Sequence, residues 1–413
     1  MFRNLYSHTF ITTLCIFALG AASLKIAADF FGSVGFGEYQ IARRGIALVT
    51  YPLLMGLGIS LPRFIAGNQE SGQTEKSAYL LSGLLIIIVN LGFCGLLVFL
   101  FPQEISHLLF GNSKYQGFVM PIYAAVFGLC FYTLVYSHLR GSLKIREANL
   151  FQLFSIGLVP MGAIAANGNS PAQSILYTGL IWFVLATLYL VFILFIKEGI
   201  PKRRLELFPQ MKKLIFFGLP RIPGEFALFG LFSVPVISIA HITGVETAGY
   251  FALGFSFLQL ICGFFDYVGV ILLPLISKMN AEKRFPEIAS LVRKTLGLSM
   301  LGSLILVSGL FFLMKNILGT FFGNDFLAAT GIIKWIISGA FPYLIYAILR
   351  NPLDAMVSFP HNSLNLSIAL GVILGALFFA NSITGCIIAV LSGLSLLGLL
   401  TFMSWRRCIN TNR

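Results

Sequence analysis

Apolar residues fill this chain in long runs, and polar positions gather in short clusters between them rather than alternating at strand or amphipathic-helix spacing. A run of ~20 apolar residues is what a helix needs to cross a bilayer. Twelve such runs can be read along the chain: about 8–30, 41–64, 78–101, 117–139, 149–167, 173–196, 213–240, 250–276, 296–314, 329–349, 361–380 and 382–404. The pattern predicts an all-α membrane protein of twelve transmembrane helices with short connections. The largest polar interval, 197–213, carries Lys202-Arg203-Arg204 near the midpoint. It reads as a linker between a six-helix half at 1–200 and a second at 201–413.

Short patterns recur at a fixed offset. Gly32 is echoed by Gly244, Gly37 by Gly249, Leu61-Pro62 by Leu273-Pro274 and Phe110-Gly111-Asn112 by Phe322-Gly323-Asn324, all 212 positions apart. Leu139-Arg140 and Leu349-Arg350 follow at 210. The offset is half the chain, so the halves read as repeats, and six spans per half make them parallel repeats. Internal duplication of apolar halves is common in transporters, which hold substrate between the halves. Each half is expected to place a Gly-containing outer turn after its first helix, to end the next helix near Leu-Pro, and to enter span four through a Phe-Gly-Asn turn.

With 57% hydrophobic and 10% charged residues and a mean hydropathy of +0.90, a water-soluble globular domain is excluded. The formal net charge of +13 does not indicate nucleic acid, because 21 of the 28 basic residues fall in alternate connections and termini while the opposite connections hold only Lys114 and Lys315. That asymmetry predicts both termini in the cytoplasm. The first run imitates a secretory signal but is read as retained, since removing it would leave the first half incomplete. Six scattered cysteines without a CxxC pair read as small core residues.

Eight ionisable residues lie inside the runs: Lys25, Asp29, Arg43, Arg44, Arg221, Glu225, Asp266 and Lys334. Charges in a membrane are costly and usually face a bundle interior or a wet cavity. All but Lys334 fall on the first two spans of a half, which points to a shared polar cavity. Lys25/Asp29 and Arg221/Glu225 each have i,i+4 spacing, so each pair either bonds and neutralises itself or serves a substrate. Arg43, Arg44 and Lys334 either snorkel or bind. Asp266, without a local partner, awaits a cation from another helix, a transported proton or a structural hydrogen bond. Five cations against three anions favour a negatively charged substrate, and arginine suits phosphate. Span seven opens Phe217-Gly218-Leu219-Pro220-Arg221-Ile222-Pro223-Gly224-Glu225, where Pro220, Pro223 and Gly224 predict an interrupted helix and a hinge.

At that segment the chain resembles a known family. The run Gly-Leu-Pro-Arg-Ile-Pro-Gly at 218–224, the Gly37-Glu38-Tyr39 turn leading to Leu61-Pro62, and Ala248-Gly249-Tyr250 leading to Leu273-Pro274 are similar to motifs of the polysaccharide-exporting lipid flippases. These belong to the multidrug/oligosaccharidyl-lipid/polysaccharide exporter superfamily, and the O-antigen and capsule repeat-unit flippases are the nearest branch. The resemblance covers about residues 5–405. It implies two six-helix lobes around a central cleft and a bacterial inner-membrane location. It also implies transport of an undecaprenyl-diphosphate-linked oligosaccharide from inner to outer leaflet by alternating access, with H+ or Na+ as the coupling ion. Membrane lipids, a polysaccharide polymerase and a chain-length regulator are the implied partners. Lys25, Arg43, Arg44, Arg221 and Lys334 would bind substrate; Asp29, Glu225 and Asp266 would carry the coupling ion or bond sugar hydroxyls. A multidrug or small-metabolite antiporter of the same superfamily is the alternative, and a membrane glycosyltransferase or polymerase the alternative of another class. No HExxH, Walker-type loop, nucleophile elbow or metal-ligand cluster occurs, so neither an enzyme nor a cofactor is expected.

Overall fold

The computed structural model describes residues 2–67, 73–197, 207–357 and 359–411. The predicted Lys202-Arg203-Arg204 linker lies outside them. The described residues are helical or in turns, as a chain in hydrocarbon must be when no water satisfies its backbone. Inter-residue contacts divide the chain into two compact units, Met1–Phe226 and Ala227–Arg413.

The first unit contains α1 (Phe2–Leu53), α2 (Leu57–Gly67), α3 (Gln73–Leu100), α4 (Pro102–Phe110), α5 (Val119–Gly141), α6 (Ile145–Gln152), α7 (Val159–Ala166), α8 (Pro171–Val191) and α9 (Leu207–Gly218). The chain crosses into the second unit early in α10 (Ile222–Thr243). There follow α11 (Val245–Ala281), α12 (Phe285–Ile317), α13 (Thr330–Ser338), α14 (Ala340–Met356), α15 (His361–Phe378) and α16 (Ile383–Thr411). Among the described residues eleven helical stretches are long and apolar enough to cross a membrane. The first of them, His8–Leu53, holds the first predicted span and the start of the second, whose remainder lies mostly in the shorter apolar helix α2, which leaves eleven stretches against twelve predicted runs.

The outer turn predicted at 31–39 shrinks to one residue. Gly32 alone leaves the helix, at φ 64° and ψ −175°, and Gly244 takes nearly the same conformation between α10 and α11, at φ 97° and ψ 175°. That region is essentially closed to residues with a Cβ, so the 212-residue echo is an echo of backbone geometry. Gly111 and Gly323 likewise have positive φ, and each leads through a 3-10 turn, Ser113–Phe118 or Asn324–Ala329, towards α5 or α13.

Two expectations fail. Leu61-Pro62 and Leu273-Pro274 do not end helices: Pro62 lies within α2, and α11 continues past position 274 to Ala281. A proline removes only its own donor, and in α2 the chain has already turned at Met55 and Gly56, so Pro62 sits in a new helix. Of the cysteines expected in the core, Cys130, Cys262, Cys386 and Cys408 are buried, whereas Cys15 is exposed.

Candidate functional site

Two helix breaks in the first unit build its most distinctive site. Pro52 lies in the last turn of α1, which stops at Leu53; Met55 (φ 48°) and Gly56 (φ 72°) then redirect the chain into α2. At the other break α9 stops at Gly218. Pro220 offers no N–H to the Phe216 carbonyl, and a single 3-10 turn, Leu219–Arg221, carries the chain into α10. The breaks touch. A Cβ on Gly56 would lie 2.7 Å from the Gly218 Cα, and a Cβ on Gly218 would collide with the Met55 carbonyl oxygen. Only glycine at both positions permits this approach.

The contact gathers cations on one ring. Arg221 Cζ lies 3.7 Å from the centroid of Phe217, and Arg63 Cζ, carried on α2, lies 4.3 Å from the same centroid. Arg221 also donates from Nη1 to the Phe217 carbonyl at 2.5 Å. That carbonyl belongs to the last turn of α9, where orphaned acceptors and the helix dipole favour a cation. Phe64 packs edge-on to Phe217 and stacks on buried Tyr79, both at 5.6 Å between centroids. Among the described residues no carboxylate lies within ion-pair distance of either guanidinium. Two like charges held together in this way, by aromatic stacking and a carbonyl, form a ready site for an anion with phosphate geometry.

The predicted Arg221–Glu225 bond is absent. Arg221 sits in the 3-10 turn, before the regular helix on which i and i+4 side chains stack, and its guanidinium turns to Phe217. Glu225 is half-buried one turn into α10, within electrostatic reach of Arg221 and Tyr51. Lys25 and Asp29 do pair within α1, with side chains 38% and 48% exposed, so this pair neutralises itself locally. Arg43 is exposed and leans over Tyr39 at 5.7 Å, and Arg44 is half-buried.

In the second unit Asp266 on α11 finds the cation it lacked locally. Arg350 Nη2 on α14 lies 3.3 Å from Asp266 Oδ1, and the two side chains are 25% and 27% exposed. The Arg350 guanidinium also leans over Tyr346, 5.8 Å from its centroid. Asn362 at the start of α15 ties the backbone in, donating from Nδ2 to the Arg350 carbonyl at 2.9 Å and to Asp354 Oδ1 at 2.8 Å. Lys334 on α13 is half-buried, its Nζ 4.7 Å from the centroid of Phe311 on α12.

Sequence reasoning counted Arg63 and Arg350 as loop charges that set topology. A signal for Arg63 was present: Leu61-Pro62-Arg63 and Leu219-Pro220-Arg221 are the same tripeptide, and the fold brings both arginines to Phe217. For Arg350 the only trace was the Leu139-Arg140/Leu349-Arg350 echo.

Comparison with known proteins follows from this architecture. A profile of the family described as polysaccharide biosynthesis protein matches residues 5–280. No match was found among curated proteins. Among solved structures, the lipid II flippase MurJ in an inward closed conformation is similar with a TM-score of 0.77 at 16% identity, over 98% of this chain and 89% of that one. An inward-facing multidrug resistance MATE family transporter of the MOP superfamily gives 0.74 at 12% identity, over 99% and 94%. A MOP superfamily transporter from Pyrococcus furiosus gives 0.62 at 13% identity, over 99% and 95%. The chain is therefore a multi-pass membrane protein with the fold of the MOP-superfamily transporters, and it belongs to the polysaccharide biosynthesis protein family.

Proposed function

We propose that the protein turns an undecaprenyl-diphosphate-linked oligosaccharide repeat unit, of the O-antigen or capsule kind, from the inner to the outer leaflet of a bacterial inner membrane by alternating access. Both termini are then cytoplasmic. The observation that carries this reading is the pair of guanidiniums on Phe217, which offers bidentate donors to a diphosphate with no carboxylate at ion-pair distance among the described residues. Arg221 and Arg63 hold the diphosphate, assisted by Lys25 and one of Arg43 and Arg44 of the same unit, and Lys334 is the substrate-binding cation of the second unit. The break at 218–222, with Pro220, Pro223 and Gly224, is the hinge.

Asp29 is engaged by Lys25 and Asp266 by Arg350, whereas Glu225 has no ion pair or hydrogen bond among the described residues. Glu225 is accordingly the favoured carrier of a coupling H+ or Na+, with Asp29 and Asp266 left to bond sugar hydroxyls. A polysaccharide polymerase and a chain-length regulator would act on the delivered unit. The test is Arg221→Ala at unchanged protein level: loss of surface glycan, with lipid-linked units retained on the cytoplasmic leaflet, is expected, and wild-type export overturns the assignment. The likeness to multidrug MATE transporters favours a second reading, drug antiport, which predicts resistance on overexpression and no glycan defect on deletion.

A further inference from the structure

At the end of the second unit where α15 begins and α16 finishes, the helices part around a cavity of about 590 Å³. α14 stops at Met356, Val357 is extended, and α15 begins at His361 after Pro360; Val357, Phe359 and His361 are among the lining residues. Leu364 and Ile368 of α15 and Met403 of α16 form apolar walls and remain 48%, 41% and 42% exposed. The polar floor is satisfied internally. Asn365 Nδ2 donates to Thr401 Oγ1 at 3.5 Å and to Ser404 Oγ at 3.4 Å, and these hydroxyls donate to the Leu397 and Leu400 carbonyls. His361 and Arg407 also line it, and among the described residues no carboxylate does.

This combination selects its occupant. Apolar walls exposed on a membrane-spanning helix pair face acyl chains, not water, while the Arg407 guanidinium lies where the apolar run of α16 ends. Basic pockets between helices at a membrane surface attract anionic headgroups. At ~30 Å³ per water-sized group the cavity holds about twenty such groups, enough for a phosphoglycerol headgroup and the upper part of one chain. A cationic lining favours an anionic headgroup over a zwitterionic one. We propose that this cavity is a binding site for an anionic bilayer phospholipid, with its phosphate at Arg407 and its acyl chain along Leu364, Ile368 and Met403. The site requires only that this end of α15 and α16 lies at a bilayer surface, so it stands or falls independently of the transported substrate.

The neighbouring residue provides the control. Arg406 is equally basic and exposed, but it leans over Phe402 at 5.5 Å and does not line the cavity. Native mass spectrometry of the full-length protein in mild detergent, titrated with phosphatidylglycerol or with phosphatidylcholine of the same chains, reads occupancy. The wild type and Arg406→Gln should retain phosphatidylglycerol in preference. Arg407→Gln should weaken it about fivefold, the effect of ~1 kcal/mol at a tenfold change per 1.4 kcal/mol. Ile368→Trp, which fills the wall, should lower binding of both lipids with the thermal midpoint of the lipid-free protein maintained. Equal loss in Arg406→Gln, no loss in Arg407→Gln, or no preference between headgroups each overturns the site. Displacement of phosphatidylglycerol by sub-stoichiometric undecaprenyl diphosphate would assign the cavity to the carrier lipid and likewise overturn it.

Discussion

Breaking the Asp266–Arg350 pair from one side should cost more than removing it whole. At 3.3 Å and an effective dielectric of ~20, two unit charges attract by about 5 kcal/mol. Desolvation returns several kcal/mol of that for each ion, and with only a quarter of each side chain exposed, solvent screens the pair weakly. Asp266→Leu leaves a guanidinium against Tyr346 with Asp354 only within longer electrostatic reach, and Arg350→Met leaves a carboxylate without its cation. Each single change should destabilise by about 3 kcal/mol, the lower end for a broken buried pair, while the double change should return to within ~1 kcal/mol of the wild type. Reversible unfolding in mixed micles of rising anionic-detergent content gives the four corners of the cycle. The expected coupling is therefore near 5 kcal/mol, the summed cost of the singles less the small cost of the double. Additive losses, with the double as unstable as the two singles combined, would refute the argument that the ions' cost lies in their separation.

Four further outcomes follow from the same geometry. Gly32→Ala and Gly244→Ala meet no atom within 4 Å of the added Cβ, so their cost is backbone strain alone; each should lower stability by ~1–3 kcal/mol, and by similar amounts, in the same unfolding assay. Gly218→Ala, by contrast, must push the Met55 carbonyl aside and should both destabilise by ~1–3 kcal/mol and impair glycan export, whereas Ala at open Gly162 should do neither. Arg63→Ala should reduce export as Arg221→Ala does, and Arg63→Lys should restore it poorly because an ammonium lacks the planar two-pronged donor set; full rescue by lysine in a surface-glycan assay would argue against bidentate recognition. Lys334→Met should change stability by no more than ~1 kcal/mol, the scale of a single cation–π contact at a partly exposed site.

Much of the architecture was legible because a bilayer leaves a chain few choices. Runs of apolar residues must be helices, and their number and order could be read directly. The repeated glycines could be read too, since Gly32 and Gly244 occupy a conformation that other residues resist. What could not be read was where helices restart. Pro52 and Pro220 mark interruptions, whereas Pro62 and Pro274 are carried inside helices, because a proline removes one helical hydrogen bond and does not by itself end a helix.

The sequence by itself determined the class of protein, the helical segments and the glycines at which the repeated turns fall. Tertiary structure decided the partnerships. It sent Arg221 to the ring and carbonyl of Phe217 instead of to Glu225, set Arg63 beside it, and gave Asp266 a cation 84 positions away on α14. The physical reason is reach. Helical spacing fixes which side chains share a face, but a guanidinium goes to the nearest acceptor or ring, and which helix presents that partner depends on close approaches such as that of Gly56 and Gly218.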